Sequence, residues 1–262
     1  MKGIERIREF LREYKTNYVI IGGTAVNLNL NRAALNERTT KDVDIIVICE
    51  ALTSDYLARF WEMIRAGGYT PATVHVPDGT TRRVLYRFVN PTDPSFPDYI
   101  ELFSRTIDDI PVPENMHPIH IESEDEVSSI SALLLDDDYY HYAVSHSVDF
   151  DGVQALNPSS LILLKAKAYV SNYRRKEAGE DVRQENIDKH KRDVYRMTLL
   201  MDDRPMEEPI IQSMKDDLNE FIRLVRDNPV DTRAISKKMG ARDVGMDEFL
   251  EKLVRVFDLA TR

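Results

Sequence analysis

Apolar residues recur along residues 2–15 at helical spacing, with Ile4, Ile7, Phe10, Leu11 and Tyr14 on one side, which predicts an amphipathic helix. Tyr18-Val-Ile-Ile21 follows as a short apolar run, the pattern of a buried strand, and ends at Gly22-Gly23. A helical pattern resumes through Ala25, Val26, Leu28 and Leu30 before the polar stretch Asn36–Lys41. Val43 to Ile48 predicts a second apolar strand, interrupted only by Asp44. Thr53 predicts the N-cap of a helix through Trp61 and Ile64 that stops at Gly67-Gly68.

The middle of the chain is expected to be rich in strands. Residues Arg83 to Val89 alternate with period two, and a Pro- and Asp-rich turn, Asn90 to Pro97, leads into the strand Asp98-Tyr-Ile-Glu-Leu-Phe103. Further strands are expected at Ile130–Leu135, Tyr139–Ser145 and Val153–Leu156, with Asp136-Asp137-Asp138 as a turn. The character changes at Asn157-Pro158. Asn157 or Ser159 can cap a helix through Leu161–Tyr173, and more helices follow at about 188–201, 207–227 and 246–259. Residues 174–187 read as an exposed, mobile connector. The expected organisation is an α/β domain over 1–156, a mixed sheet with flanking helices, followed by a mainly helical C-terminal domain over 157–262.

Composition adds limits. At 262 residues the chain buries enough surface to fold without a disulfide or metal staple, and its one cysteine, Cys49, cannot form an internal disulfide. Cys49 adjoins the apolar run 45–48, where a small buried thiol fits. The first residues carry charges of both signs without an apolar core segment, and no apolar stretch approaches the roughly 20 residues needed to span a bilayer. A soluble, cytoplasmic protein is expected. With 35 basic and 45 acidic residues the net charge is −10, which argues against general adhesion to nucleic acid or anionic membrane. Residues 165–192 run the other way, with nine Lys/Arg against five Asp/Glu, and could guide RNA.

The chemistry concentrates around Asp42-Val43-Asp44. On a strand, residues two apart point to one face about 6.6 Å apart along the chain. Two such carboxylates beside apolar residues repel, and a divalent cation resolves the conflict; an oxygen-rich site suits Mg²⁺ or Mn²⁺. Upstream, a strand enters Gly22-Gly23-Thr24 and then a helix, where glycine lets the backbone approach a ligand and the helix N-terminus offers N–H donors to phosphate. Between these motifs stand Arg38, Thr39, Thr40 and Lys41. Glu101 is a lone acid inside an apolar strand and the preferred third carboxylate, whereas Asp98 at the strand start has a turn role to fill. Lys165 interrupts an apolar helix, so its stem is expected to pack among apolar groups with its head either reaching water or aimed at a triphosphate. His141, His146 and His190 lack metal-ligand spacing and read as ordinary surface or strand residues.

These spacings resemble the polymerase-β-like nucleotidyltransferase superfamily. Ile21-Gly-Gly-Thr-Ala25 followed by Arg38-Thr-Thr-Lys-Asp-Val-Asp44 is most similar to its AbiEii/AbiGii branch, the nucleotidyltransferase toxins of bacterial toxin–antitoxin and phage-defence systems. The branch also carries a lysine on a helix after proline, matched by Pro158 to Lys165, and a basic-then-acidic helix motif, matched by Lys189-His-Lys-Arg-Asp193. The likeness covers residues 18–44, 98–103 and 158–197. Two departures stand out: Gly23-Thr24 replaces the superfamily's usual Gly-Ser, and the third acid is Glu rather than the commoner Asp.

The resemblance implies a nucleotidyltransferase-type sheet and a Mg²⁺- or Mn²⁺-dependent enzyme, with Asp42, Asp44 and Glu101 as catalytic metal ligands. Nucleoside triphosphate would bind at Gly22, Gly23, Thr24, Arg38, Thr40, Lys41, Lys165, Lys191 and Asp193. It implies an RNA acceptor such as a tRNA end, or a protein hydroxyl, and an antitoxin protein as partner. Two alternatives stay open. One is a small-molecule transferase of the aminoglycoside type, since an acidic protein attracts cationic substrates; the other is a non-catalytic nucleotide-binding module.

Overall fold

A computed structural model describes residues 1–75, 81–103 and 136–259. The chain forms two units, residues 1–25 with 39–156 and residues 26–38 with 157–262.

The first unit is α/β. Its strands are β1 (Tyr18–Ile21), β2 (Asp42–Val47), β3 (Thr70–His75), β4 (Thr81–Val89), β5 (Tyr99–Phe103), β6 (Ser147–Asp149) and β7 (Gln154–Leu156). They form one mixed sheet in the order β3-β4-β5-β2-β1-β7-β6. The β2–β5 and β1–β7 pairs are parallel and the other neighbours antiparallel. Around it stand α1 (Ile4–Leu11), the start of α2 (Gly22–Arg32), α3 (Ser54–Gly67) and α4 (Asp137–Ser145).

Local sequence explains most of these boundaries. The α1 stripe buries Ile4, Ile7, Phe10 and Leu11, each contributing about 2 kcal/mol of apolar burial. Thr53 caps α3 by accepting from the Tyr56 N–H, and Gly68 ends it in the left-handed conformation at φ 64°. Side chains alternate across a strand, so register gives each face continuous membership. Tyr18, Ile45, Phe88 and Ile100 fall on one face, where Tyr18 stacks on Tyr56 at 6.3 Å and Phe88 meets Phe60 and Trp61 of α3. The other face carries Asp42, Asp44, Glu101 and Arg87.

Several expectations change. Residues 139–145 are helix, not strand: Asp136 accepts from the Tyr139 N–H, and Asp137 and Asp138 occupy the first turn, where acids favour a helix N-terminus. The three aspartates are thus a helix start rather than a turn. Cys49 lies in a short 3-10 turn and is half-buried rather than buried. Strands β3 and β6 were not expected. The strand expected at 130–135 lies outside the described residues.

The second unit is helical: α5 (Pro158–Glu177), α6 (Gln184–Thr198), α7 (Gln212–Asp227), α8 (Thr232–Met239) and α9 (Met246–Val256), with α2 from Val26 onward and the segment to Arg38. Asn157 caps α5 through the Ser160 N–H at 2.9 Å, as expected. Tyr169 of α5 packs edge-on against Phe221 of α7, and Tyr195 of α6 against Phe249 of α9. The connector expected at 174–187 is shorter: α5 runs through Glu177 and α6 begins at Gln184. Arg174 and Arg175 extend α5 while pairing with Glu220 and Glu180. No described helix is long and apolar enough to cross a membrane.

Candidate functional site

The expected residues form two groups, one in each unit. In the first, β1 runs directly into α2 at Gly22, so the first turn of the helix lies beside the strand paired with β1. Ile21 is in register with Asp44, and Asp44 with Glu101. Asp44 is 5% exposed. Gly22 adopts φ +64°, and a Cβ there would lie 1.8 Å from Asp44 Oδ2 and 2.8 Å from its Cγ. Glycine is therefore required twice, for its backbone and for the carboxylate pressed against it. Gly22→Ala is expected to cost about 3 kcal/mol, left-handed strain and the clash combined, read as a lower urea midpoint with unchanged slope.

Asp42 is held from its own turn. Its Oδ1 accepts from the Thr40 hydroxyl at 3.0 Å and from the Lys41 N–H at 3.1 Å. Thr24 is 1% exposed and donates its hydroxyl to the Asp42 carbonyl at 2.6 Å, tying the first turn of α2 to the start of β2. Thr24 thus works as a strut in this arrangement. Lys41 is exposed, and Gly23 lies buried in the first turn of α2.

Glu101 shares the face with Asp42 and Asp44, but its carboxylate forms an ion pair with Arg87, its register partner on β4. Among the described residues no three His, Cys, Asp or Glu side chains converge as a metal-binding group. The expected three-acid convergence is therefore not seen. What β2 presents is a pair of hard carboxylate donors two residues apart. Mg²⁺ commonly takes one or two protein carboxylates and fills its shell with substrate phosphates and water, so Asp42 and Asp44 suit it once a phosphate substrate adds oxygens.

The second group centres on Asp193 of α6, whose side chain is 1% exposed. Arg38 faces it in a fork, Nε to Oδ1 at 3.0 Å and Nη2 to Oδ2 at 3.1 Å. Arg196 donates to Oδ1 at 2.8 Å, and Lys165 of α5 lies 3.6 Å from Oδ2. Burial alone would raise the Asp193 carboxyl, but Arg38, Lys165 and Arg196 outweigh it and hold it below the usual carboxylate range. Burial has the larger say on Arg196, whose pKa is lowered. Lys165 itself is buried, and its ammonium is turned to Asp193.

Lys191, expected with this group, goes elsewhere. Its ammonium meets Asp188 at 3.0 Å and the carbonyl of Asn228, the residue ending α7, at 3.0 Å, where a cation complements the helix dipole. His190 is not an ordinary surface residue: it is 4% exposed, and neither ring nitrogen has a hydrogen-bond partner among the described residues. Burial first, then the nearby charges of Lys165, Lys189 and Arg38, push its pKa well below the ordinary value. A histidine kept neutral in the fold contributes stability that is present above its unfolded pKa and is lost as pH falls toward the folded one. Chemical denaturation between roughly pH 5 and 6.5 should show stability falling with pH by up to about 1.4 kcal/mol per unit from this group, and His190→Phe should remove that share of the slope. Equal slopes in the two proteins would refute it.

Sequence reasoning missed Arg87, Arg196 and Asn27. Arg196 stands three residues after Asp193 on the same helix, so a search for charge partners at helical spacing finds it, whereas Arg87 meets Glu101 only through the β4–β5 register. Compared with known proteins, the chain matches no family model and no curated protein.

Proposed function

We propose that this chain is a metal-dependent nucleotidyltransferase that moves a nucleoside monophosphate from a nucleoside triphosphate to an acceptor hydroxyl. The observation that carries the proposal is the placement of Asp44: buried, on one face with Asp42, in register with Glu101, and against the backbone of Gly22 where a strand turns into a helix. The mixed sheet would then be of the nucleotidyltransferase type, and the acceptor an RNA such as a tRNA end, or a protein hydroxyl. The motif resemblance further supports a toxin role, with an antitoxin protein as partner.

Asp42 and Asp44 would hold Mg²⁺ or Mn²⁺, which when bound offsets negative charge on the reacting phosphate oxygens. The chain's own groups supply the rest. Thr40 and the Lys41 N–H fix the Asp42 carboxylate in one orientation. The first turn of α2 offers backbone N–H groups and the positive end of a helix dipole, both suited to phosphate. Arg87 holds Glu101 as a charged partner on the same face, a placement from which Glu101 can accept a proton from an acceptor hydroxyl. Arg38 and Lys165 are charge-complementary to a polyphosphate.

The test is label transfer. Purified protein with labelled nucleoside triphosphates, Mg²⁺ or Mn²⁺, cellular RNA, cellular protein and an aminoglycoside panel should place label on one acceptor class, RNA or protein, and chelator should abolish it. Label on the aminoglycosides would replace the macromolecular acceptor. Nucleotide binding that ignores metal, with no transfer to any acceptor, would leave a binding module in place of an enzyme.

A further inference from the structure

Arg38 reaches Asp193 from a segment outside regular secondary structure, where backbone N–H and C=O groups have no ladder to satisfy them. Asn27 fills that role. It is 1% exposed on α2, donates Nδ2 to the Arg38 carbonyl at 2.8 Å, and accepts the Arg38 N–H on Oδ1 at 3.0 Å. One buried amide thus grips both polar groups of one peptide residue, as a neighbouring strand would, and fixes the direction in which its side chain leaves. From that anchored point the Arg38 guanidinium makes its two contacts to Asp193, which Arg196 also holds. Asp193 is sealed from solvent, whereas about a fifth of the Arg38 side chain is exposed, so the arginine is the accessible member of the pair.

We infer that Asn27 is a positioning residue which, with the Asp193–Arg196 pair, presets Arg38 to bind a polyphosphate anion. Naming that anion as the triphosphate of a nucleotide rests on the nucleotidyltransferase proposal; the anion chemistry does not. Guanidinium N–H groups are charge-assisted donors to phosphate oxygens, and with Nε and Nη2 turned to Asp193 their aim depends on where the backbone launches the side chain. An unclamped Arg38 would sample many orientations, and binding would carry the cost of selecting one.

The experiment is a double-mutant cycle with inorganic triphosphate as the probe, read by calorimetry on the full chain. Asn27→Ala and Arg38→Ala should each weaken binding roughly tenfold, the scale of one or two lost hydrogen bonds. The double variant should be no worse than Arg38→Ala, because Asn27 acts only through Arg38. Asn27→Leu, nearly isosteric, serves as a second variant should the alanine form melt early, and melting curves identify which variants are folded. Additive losses, unaltered binding in the folded Asn27 variant, or no binding of triphosphate by the wild-type chain would each overturn the inference. The label-transfer assay separates the two proposals. Transfer without the coupled binding defect removes this inference alone, and coupled binding without transfer removes the enzyme while leaving the anion site.

Discussion

Asp44→Ala is expected to lower nucleotidyl transfer by about 10³-fold while the chain stays folded. Asp44 sits at the meeting point of three elements: β2, which carries it; β1, whose Ile21 is its register partner; and β5, whose Glu101 lies opposite. Its neighbours on β2, Val43 and Ile45, are almost fully buried on the opposite face, and they fix the strand whether or not the carboxylate is present. Removing it therefore takes away a hard oxygen donor without opening the α3-side core. The loss should fall on kcat rather than on nucleotide KM, since a group acting on the reacting phosphate is felt most in the transition state. Asp44→Asn isolates charge from shape. It keeps the volume beside Gly22 but supplies a weaker, neutral oxygen, so it should be nearly as inactive. Substantial transfer by either variant, with a circular dichroism spectrum and melting curve like the wild type's, would remove Asp44 from the chemistry.

The segment carrying this site was legible because its signals are local. An apolar run, a glycine pair and a helical pattern predict β1, the turn and α2, and the i, i+2 spacing places Asp42 and Asp44 on one face. Thr53, Gly68 and Asn157 likewise act within a few residues of the boundaries they set. What local pattern could not supply was partnership across the fold. Glu101 reads as a lone acid until the antiparallel β4–β5 register puts Arg87 opposite it. Arg38 and Asp193 are separated by 155 residues, so their pairing has no local signature. Tyrosine and valine in Tyr139–Ser145 are at home in the strand expected there, yet Asp136 at the cap and two acids in the first turn decide for helix. β3 contains Pro71, which argues against a central strand; it lies at the edge of the sheet, where proline is tolerated.

Asp193→Ala is expected to be the most destabilising single change in the helical unit. Three cations converge on this one carboxylate, and two of them, Lys165 and Arg196, are themselves buried. Deleting the shared partner removes all three attractions and leaves like charges close together in poorly hydrated surroundings. Breaking a buried pair from one side costs about 3–5 kcal/mol, which in a chain of this size lowers the melting temperature by roughly 10 °C. Asp193→Asn can still accept from Arg196 but cancels no charge, so it should fall between the two. The acid limb gives an independent check. Because the folded carboxyl titrates below its ordinary value, its stabilisation is fully present above the unfolded pKa, about 3.9, and drains away as pH falls through the folded one. The wild-type and alanine proteins should therefore converge in stability as pH drops below about 4, since protonation does to the first what substitution has done to the second. A difference that persisted undiminished at low pH would mean that packing, not charge, holds this part of α6 in place.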